Sequence, residues 1–499
     1  YLAARRVQRV ASTCRARLRP PLELSAQGCP AARSTPAAAQ LLALPPAIEA
    51  VREEYRVGRD QRLRADGSGQ FRELMSEGTH NDIDPNVEPG FDRAPFEAET
   101  EVVIIGGGFG GMLMSVRLKE ACIQEFRIVE AGGDFGGTWY LNRYPGVQCD
   151  VESYVYMPLL EELNYIPTEK YAHGPEIFAH AQAIGRHYDL YEHAMFQTQV
   201  SALNWDEDAQ RWIVQTDRND SLRARFVCMA NGPYSKPKMP GIPGVHDFEG
   251  HTFHTSRWDY EYTGGDTTGG LTKLADKRVG VIGTGATAIQ AVPHLGRDAG
   301  EVFVFQRTPS SVDIRDNAPT DPGFADTLEP GWQQKRMDNF NILMDGGAQE
   351  EDLVGDRWTE LTLGLHEVLA ATPNPEDLTP EELALIAEKV DLQKMERVRG
   401  RIDEVIADPS TAEKLKPWYR YLCKRPCFHD EYLPTFNRPN VHLVDTDGRG
   451  REKITPRGDV ANGEEYALDC LICATGFDVS SNYTRRAGYE IVGRDGQKL

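Results

Sequence analysis

The chain lacks the features that would take it into a membrane, onto nucleic acid or around a metal. Its 499 residues contain no run of about 18 apolar residues, the length a helix needs to span a bilayer. Positive charge is in short supply: 55 Lys and Arg stand against 76 Asp and Glu, a net charge of −21. Phosphate backbones are gripped by basic surface, so this balance argues against a nucleic-acid partner. Nine cysteines occur without a secretory signal, which favours a reducing compartment. Cys423 and Cys427 lack the second ligand pair of a zinc site, and no metal is expected. Cys470 and Cys473 have redox spacing, yet they sit in the apolar run "ALDCLICATGF" and read as buried structural cysteines. Acidic residues are scarce only at the start, where residues 1–40 hold seven arginines and one glutamate. That pattern reads as a disordered or targeting-like extension over residues 1–50, outside the fold in either case. The expected location is cytoplasmic, with a mitochondrial one as the alternative.

What is present is a unit that occurs twice. "TEVVIIGGGFGGMLMSVRLKEA" is an apolar strand, a glycine turn and a helical pattern. Gly106, Gly108 and Gly111 fit G-x-G-x-x-G: the first permits the tight turn, the second lets backbone approach a pyrophosphate, and the third lets helix pack on strand. The helix N-terminus adds amide donors and a partial positive charge. The next strand, "FRIVEAGG", ends in Glu130, an acceptor for ribose hydroxyls. In "DKRVGVIGTGATAIQAVPHL" the three places are taken by Gly283, Gly285 and Ala288, and "EVFVFQRTP" follows. Gly106 to Glu130 is 24 residues, and so is Gly283 to Arg307. A carboxylate repels a 2′-phosphate, whereas a guanidinium binds it through charge-assisted hydrogen bonds. The first unit is therefore expected to hold an adenine dinucleotide with a free 2′-hydroxyl, and the second to prefer NADPH.

Two such sites in one chain point to a flavoprotein fed by NADPH. Disulfide reductases share the layout but need a dithiol soon after the first glycine turn. "GGDFGGTWYLNRYPGVQCD" offers only Cys149, so the chemistry is expected to end on oxygen.

Between the two turns lies "FEGHTFHTSRWD", with Phe248, Gly250, His254, Trp258 and Asp259 at fixed offsets. This stretch resembles the fingerprint of the Baeyer–Villiger monooxygenases, flavoenzymes that insert an oxygen atom beside a ketone carbonyl. "GGTWYLNRYPGVQCDVES", "FQRTP", "CKRPCFHDEYLPTFNRPNV" and "ICATGFD" resemble further segments of the same family, in the same order, from about Val102 to about Tyr483. The resemblance implies FAD and NADPH as cofactors, with a small-molecule ketone and O2 as substrates. It implies FAD-binding residues at Gly106, Gly108, Gly111, Glu130, Gly137, Thr138, Trp139, Gln148, Cys149, Asp150, Tyr156 and Val200. NADP contacts are implied at Thr284, Gly285, Ala286, Thr287, Ala288, Ile289, Gln290, Arg307, Thr308 and Lys424. Arg425 matches the family's catalytic arginine, with Asp150 as its partner. In the family's chemistry a C4a-peroxide anion attacks the carbonyl. Arginine cannot lose its proton at working pH, and its planar fork suits the oxyanions formed. Peroxide attack needs no general base, so His254 is read as a hinge or hydrogen-bonding residue; His429 is left open between pocket and core.

The expected fold is α/β, with two Rossmann-like dinucleotide-binding domains and a helical insertion. The boundaries read as 51–98 for an extension packing on the FAD domain and 99–240 for its first part. An NADPH domain over 241–429 carries an insertion at about 311–408, and 430–499 returns to the FAD domain. In the insertion, Thr379, Pro380 and Glu382 form a helix-start signature. The extension and insertion resemble the branch acting on bulky or polycyclic ketones. Family members usually continue well past "ATGFD", so a non-catalytic nucleotide-binding fragment is one alternative reading. A monooxygenase of sulfur or nitrogen is the other. The sequence does not indicate the oligomeric state.

Overall fold

A computed structural model describes residues 48–63, 67–73, 84–87, 89–234, 236–479 and 481–499. The arginine-rich first forty residues lie outside the described residues. The described chain begins with helix α1 (Ile48–Arg62). No helix among the described residues is long and apolar enough to cross a membrane.

The first sheet is built around β1 (Glu97–Ile105), whose inner half is buried on both faces because it lies mid-sheet between parallel neighbours. Helix α2 (Phe109–Glu120) follows it. β2 (Phe126–Val129) and then β3 (Ala194–Met195) extend the sheet in parallel on one side. On the other side β4 (Val200–Asp206), β5 (Arg211–Thr216) and β6 (Ser221–Met229) form an antiparallel meander whose last strand runs parallel to β1.

The second sheet is wholly parallel. Its strands are β7 (His251–His254), β8 (Arg278–Ile282), β9 (Glu301–Gln306), β10 (Val441–Asp445) and β11 (Cys470–Cys473), in the order β10–β9–β8–β11–β7. Helix α3 (Ala286–Asp298) crosses between β8 and β9. The chain returns to the first sheet only at β12 (Ile491–Val492), which pairs with β4. The architecture is the expected α/β pair.

Two expected boundaries are corrected. The return at residue 430 is overturned by strand pairing: both β10 and β11 complete the second sheet, and the crossing back follows Cys473. The 51–98 extension does not pack on one domain. α1 lies against the second unit, with Arg52 paired to Glu388 at 2.8 Å and Arg62 over the Tyr419 ring. Only its end reaches the first sheet, where Arg93 clamps Asp220 with two bonds of 2.6 Å.

The two crossings between sheets run side by side. Pro237 faces Phe477 in antiparallel fashion. Lys238 donates its amide to the Gly476 carbonyl at 2.9 Å, and Asp478 to that of Lys236 at 2.8 Å.

Helices α4 (Trp332–Met344), α5 (Glu360–Ala370) and α6 (Pro380–Val405) form the insertion. α6 starts with the expected capping box of Thr379 and Glu382. A charge cluster fastens these helices down. Lys394 Nζ lies 2.6 Å from Asp313 Oδ2 with side-chain exposures of 2% and 1%, while Glu360 on α5 closes on the same ammonium. Asp313 belongs to a short strand paired with Cys427–Phe428, just beyond Arg425. Truncating one partner of a buried pair strands the other charge. Lys394→Ala is therefore expected to cost on the order of 3 kcal/mol, read as a lower urea midpoint; a change within measurement error would contradict this role for the cluster.

Candidate active site

Each glycine turn is shaped by one close approach. Gly106 has φ +113° and Gly283 φ +117°. A Cβ at Gly106 would meet the Ala230 carbonyl oxygen at 2.4 Å, and one at Gly283 the Ala474 carbonyl oxygen at 2.5 Å. Both carbonyls belong to the residue that leaves the neighbouring strand. The third place differs as expected. A Cβ at Gly111 would fall 1.9 Å from the Gly106 oxygen, whereas Ala288 has room for its methyl and is fully buried.

The turns fit dinucleotides. Neither Gly108 nor Gly285 caps its helix with a side chain, so the first-turn amides are left for a ligand. A Cβ at Gly285 would meet nothing within 4 Å. Gly137 lies against Gly108, where a Cβ at Gly137 would fall 2.8 Å from the Gly108 Cα. Glu130 ends β2 and accepts from the Gly107 amide at 2.5 Å and the Gly132 amide at 2.6 Å. Burial pushes its carboxyl up, and those two amides oppose the shift.

A cavity of about 800 Å³ opens between the units. Thr138, Trp139, Gln148, Cys149, Asp150 and Tyr156 line it from the first unit, and Thr284 to Thr287, Gln290, Arg307, Thr308, Lys424 and Arg425 from the second. The Trp139 indole donates to Tyr156 Oη at 3.0 Å, edge to face, and burial raises Tyr156 to about 12. Burial likewise raises the Cys149 thiol to about 12, so it is not a nucleophile at neutral pH. Gln290 on α3 ties the units together: it accepts from Tyr144 Oη at 2.8 Å and donates to the Gln148 carbonyl at 2.9 Å.

Arg425 and Asp150 meet at 2.7 Å. The Arg425 side chain is 47% exposed, and that surface faces the cavity. Burial works against its charge, but Asp150 and the other acidic groups around it outweigh this and raise its pKa. Lys424, also on the cavity wall, donates to the Pro309 carbonyl at 2.9 Å and to Thr308 Oγ1 at 3.3 Å. Burial lowers Lys424 to about 8, with Arg62 and Arg307 contributing.

The remaining expected residues lie off the cavity. The Val200 side chain packs in the core of the first sheet, and Ala288 and Ile289 pack in that of the second. The periodicity of strand and helix turns those side chains inward. The fingerprint is structural here. Phe248 and Trp258 are core residues, and a Cβ at Gly250 would meet the Phe248 ring. Asp259 caps a helical turn at Tyr262 and pairs with His251 at 2.9 Å. His254 is fully buried, bonded to Ser256 and, at 3.2 Å, to the Gly476 carbonyl of the crossing. Burial, reinforced by Arg257, pushes it down to about 3, so it stays neutral. His429 accepts the amides of Glu431 and Tyr432 and serves as a turn cap. Sequence reasoning missed Gln70 and Trp358, which line the cavity from the extension and the insertion. Neither sits in a motif, so no local signal marks them.

Comparisons with known proteins agree with this geometry. Residues 103–339 match the family model described as pyridine nucleotide-disulphide oxidoreductase, which shares the two-dinucleotide layout. Neopentalenolactone D synthase of Streptomyces avermitilis is 56% identical, over 91% of this chain and 76% of its own. Baeyer-Villiger monooxygenase ATR8 of Stachybotrys chlorohalonatus is 50% identical, over 89% and 71%. The solved polycyclic ketone monooxygenase of Thermothelomyces thermophila superposes with a TM-score of 0.84 at 42% identity, over 90% of this chain and 76% of that one. OTEMO in complex with FAD and NADP aligns at 29% identity and a TM-score of 0.65, over 82% and 76%. These names favour ketone oxygenation over the sulfur or nitrogen alternative. With a glycine turn in each of two units, a cavity between those units, and identities of this order along nine-tenths of its length, the chain belongs to the Baeyer–Villiger monooxygenases, enzymes that use FAD and NADPH to insert an oxygen atom beside a ketone carbonyl.

Proposed function

We propose that this enzyme converts bulky, polycyclic ketones to esters or lactones with O2 as the oxygen donor, and that Arg425 and Asp150 carry the chemistry. The Arg425–Asp150 pair on the wall of the cavity between the two units carries this reading. The size of that cavity and the names of the relatives support the substrate class.

FAD would be held by the first turn, with Glu130 facing its ribose, and would supply the two-electron store at which oxygen is activated. NADPH would be held by the second turn, with Arg307, Thr308 and Lys424 facing its 2′-phosphate. The protein's own contribution is charge and position. The Arg425 guanidinium is a permanent donor aimed into a partly desolvated space. Negative charge developing on the attacking oxygen and on the ketone oxygen is stabilised there without moving a proton. Asp150 fixes the direction of the fork. The pair's opposite charges also limit the cost of placing a cation in this wall. His254, neutral and buried behind the crossing, takes no part in proton transfer.

Arg425→Ala is expected to leave flavin reduction by NADPH intact and to lower ester formation by about 10²–10³-fold. Product analysis beside anaerobic flavin bleaching checks this, and retained ester formation would refute the role of Arg425.

A second expectation follows from Lys424. Its ammonium is depressed to about 8 without ligand, and a bound phosphate dianion favours the charged form. Above pH 8, binding must therefore take up a proton, so affinity for NADPH falls as pH rises. Below that pH the lysine is charged in both states and contributes no slope. The KM for NADPH should rise from about pH 8 upward, while that for NADH, which lacks the phosphate, stays flat across the same range. Parallel slopes for the two cofactors would remove Lys424 from the phosphate site.

A further inference from the structure

The helical insertion reaches the reactive pair through one residue. Trp358 stands two residues before the start of α5. Its indole nitrogen donates to the backbone carbonyl of Asp150 at 2.7 Å. Its ring packs against Phe428 with centroids 5.1 Å apart, three residues beyond Arg425, and against a cluster of Val155, Phe340 and Val354, on which Val151 also packs. The ring also forms part of the cavity wall. Trp358 thus touches the chain on both sides of the ion pair, at Asp150 itself and three residues beyond Arg425.

Trp358 is itself held. Its amide donates to Asp356 Oδ1 at 2.9 Å. Glu360, two residues on, is bound into the Lys394–Asp313 cluster, and Asp313 pairs in register with Phe428. The strand carrying Phe428 and the loop carrying Trp358 are therefore anchored to the same buried charges. The Asp150 carbonyl, on a stretch with little regular structure between two short helical turns, has in Trp358 a fixed donor.

We propose that Trp358 is a positioning residue: its N–H, delivered by the helical insertion, fixes the Asp150 backbone and through it the direction of the Arg425 guanidinium. This rests on the reading of Arg425 and Asp150 given above. A guanidinium displaced by a fraction of an ångström stabilises developing charge less well. Reducing equivalents are then diverted: NADPH, O2 and one proton yield NADP+ and hydrogen peroxide, with no oxygen delivered to the ketone.

The test uses the FAD-loaded protein with NADPH and a bicyclic ketone. Trp358→Phe keeps a ring against Phe428 but removes the N–H. It is expected to lower the ester formed per NADPH consumed by roughly three- to tenfold, the span of one lost hydrogen bond, with peroxide making up the difference. The KM for NADPH should be unchanged. Amide hydrogen exchange over residues 149–153 should quicken in the same variant. Phe428→Leu removes the ring contact and leaves the N–H, so it should keep near wild-type coupling. The inference is overturned if Trp358→Phe keeps both wild-type coupling and wild-type exchange, or if Phe428→Leu uncouples to the same degree. The exchange readout does not depend on turnover. A wild-type protein that makes no ester from any ketone would therefore sink the ketone reading, while the exchange result alone would still decide the Trp358 contact.

Discussion

A single contact, Asp150 to Arg425 at 2.7 Å, sets the terms for the surrounding structure. Its two members come from different units and must meet in a partly desolvated space. A cation there without its carboxylate would be costly, and a carboxylate without its cation equally so. The neighbouring bonds read as measures that keep the two in place. Gln290 joins Tyr144 to the Gln148 carbonyl across the units. Buried Arg315 bonds the Gln148 side chain two residues before Asp150. The insertion adds its own anchor through the Lys394 cluster.

The two glycine turns show one physical solution used twice, with different endings. In each, a glycine at positive φ presses on the carbonyl of the adjacent strand's exit, and an uncapped helix begins three residues later. What differs is the end of the following strand. Glu130 is wrapped by backbone amides, whereas Arg307 shares its end of the cavity with Lys424. One end suits neutral hydroxyls and the other a phosphate, so the same scaffold separates two chemically similar nucleotides by charge alone.

Much of this was legible because it is local. Gly106, Gly283, Glu130 and Arg307 follow from spacing within one strand–turn–helix unit, and Thr379 with Glu382 follows from four consecutive residues. Arg425 and Asp150 were named from motifs, and the structure brings them together. What failed was long-range. The sheet to which Cys470–Cys473 belongs is decided by its neighbours β8 and β7, and an apolar run fits either sheet equally well. Trp358 and Gln70 reach the cavity from the two segments with the least pattern, where only tertiary contacts give a residue its place.

The paired crossings have a mechanical consequence. Residues 236–238 and 476–478 form a narrow hydrogen-bonded ribbon and not two independent tethers. Such a leaf yields to twisting and flexing but resists in-plane shear, because shear would break its bonds one against the next. Relative motion of the sheets is thereby restricted to few degrees of freedom. Each of the two leaves begins beside a glycine turn, at Ala230 and Ala474. A rotation about the ribbon is therefore felt first where the pyrophosphates would lie. The ribbon's anchor, His254, has no proton to gain above strongly acid pH, so the compliance of the joint stays constant while the charges in the cavity titrate.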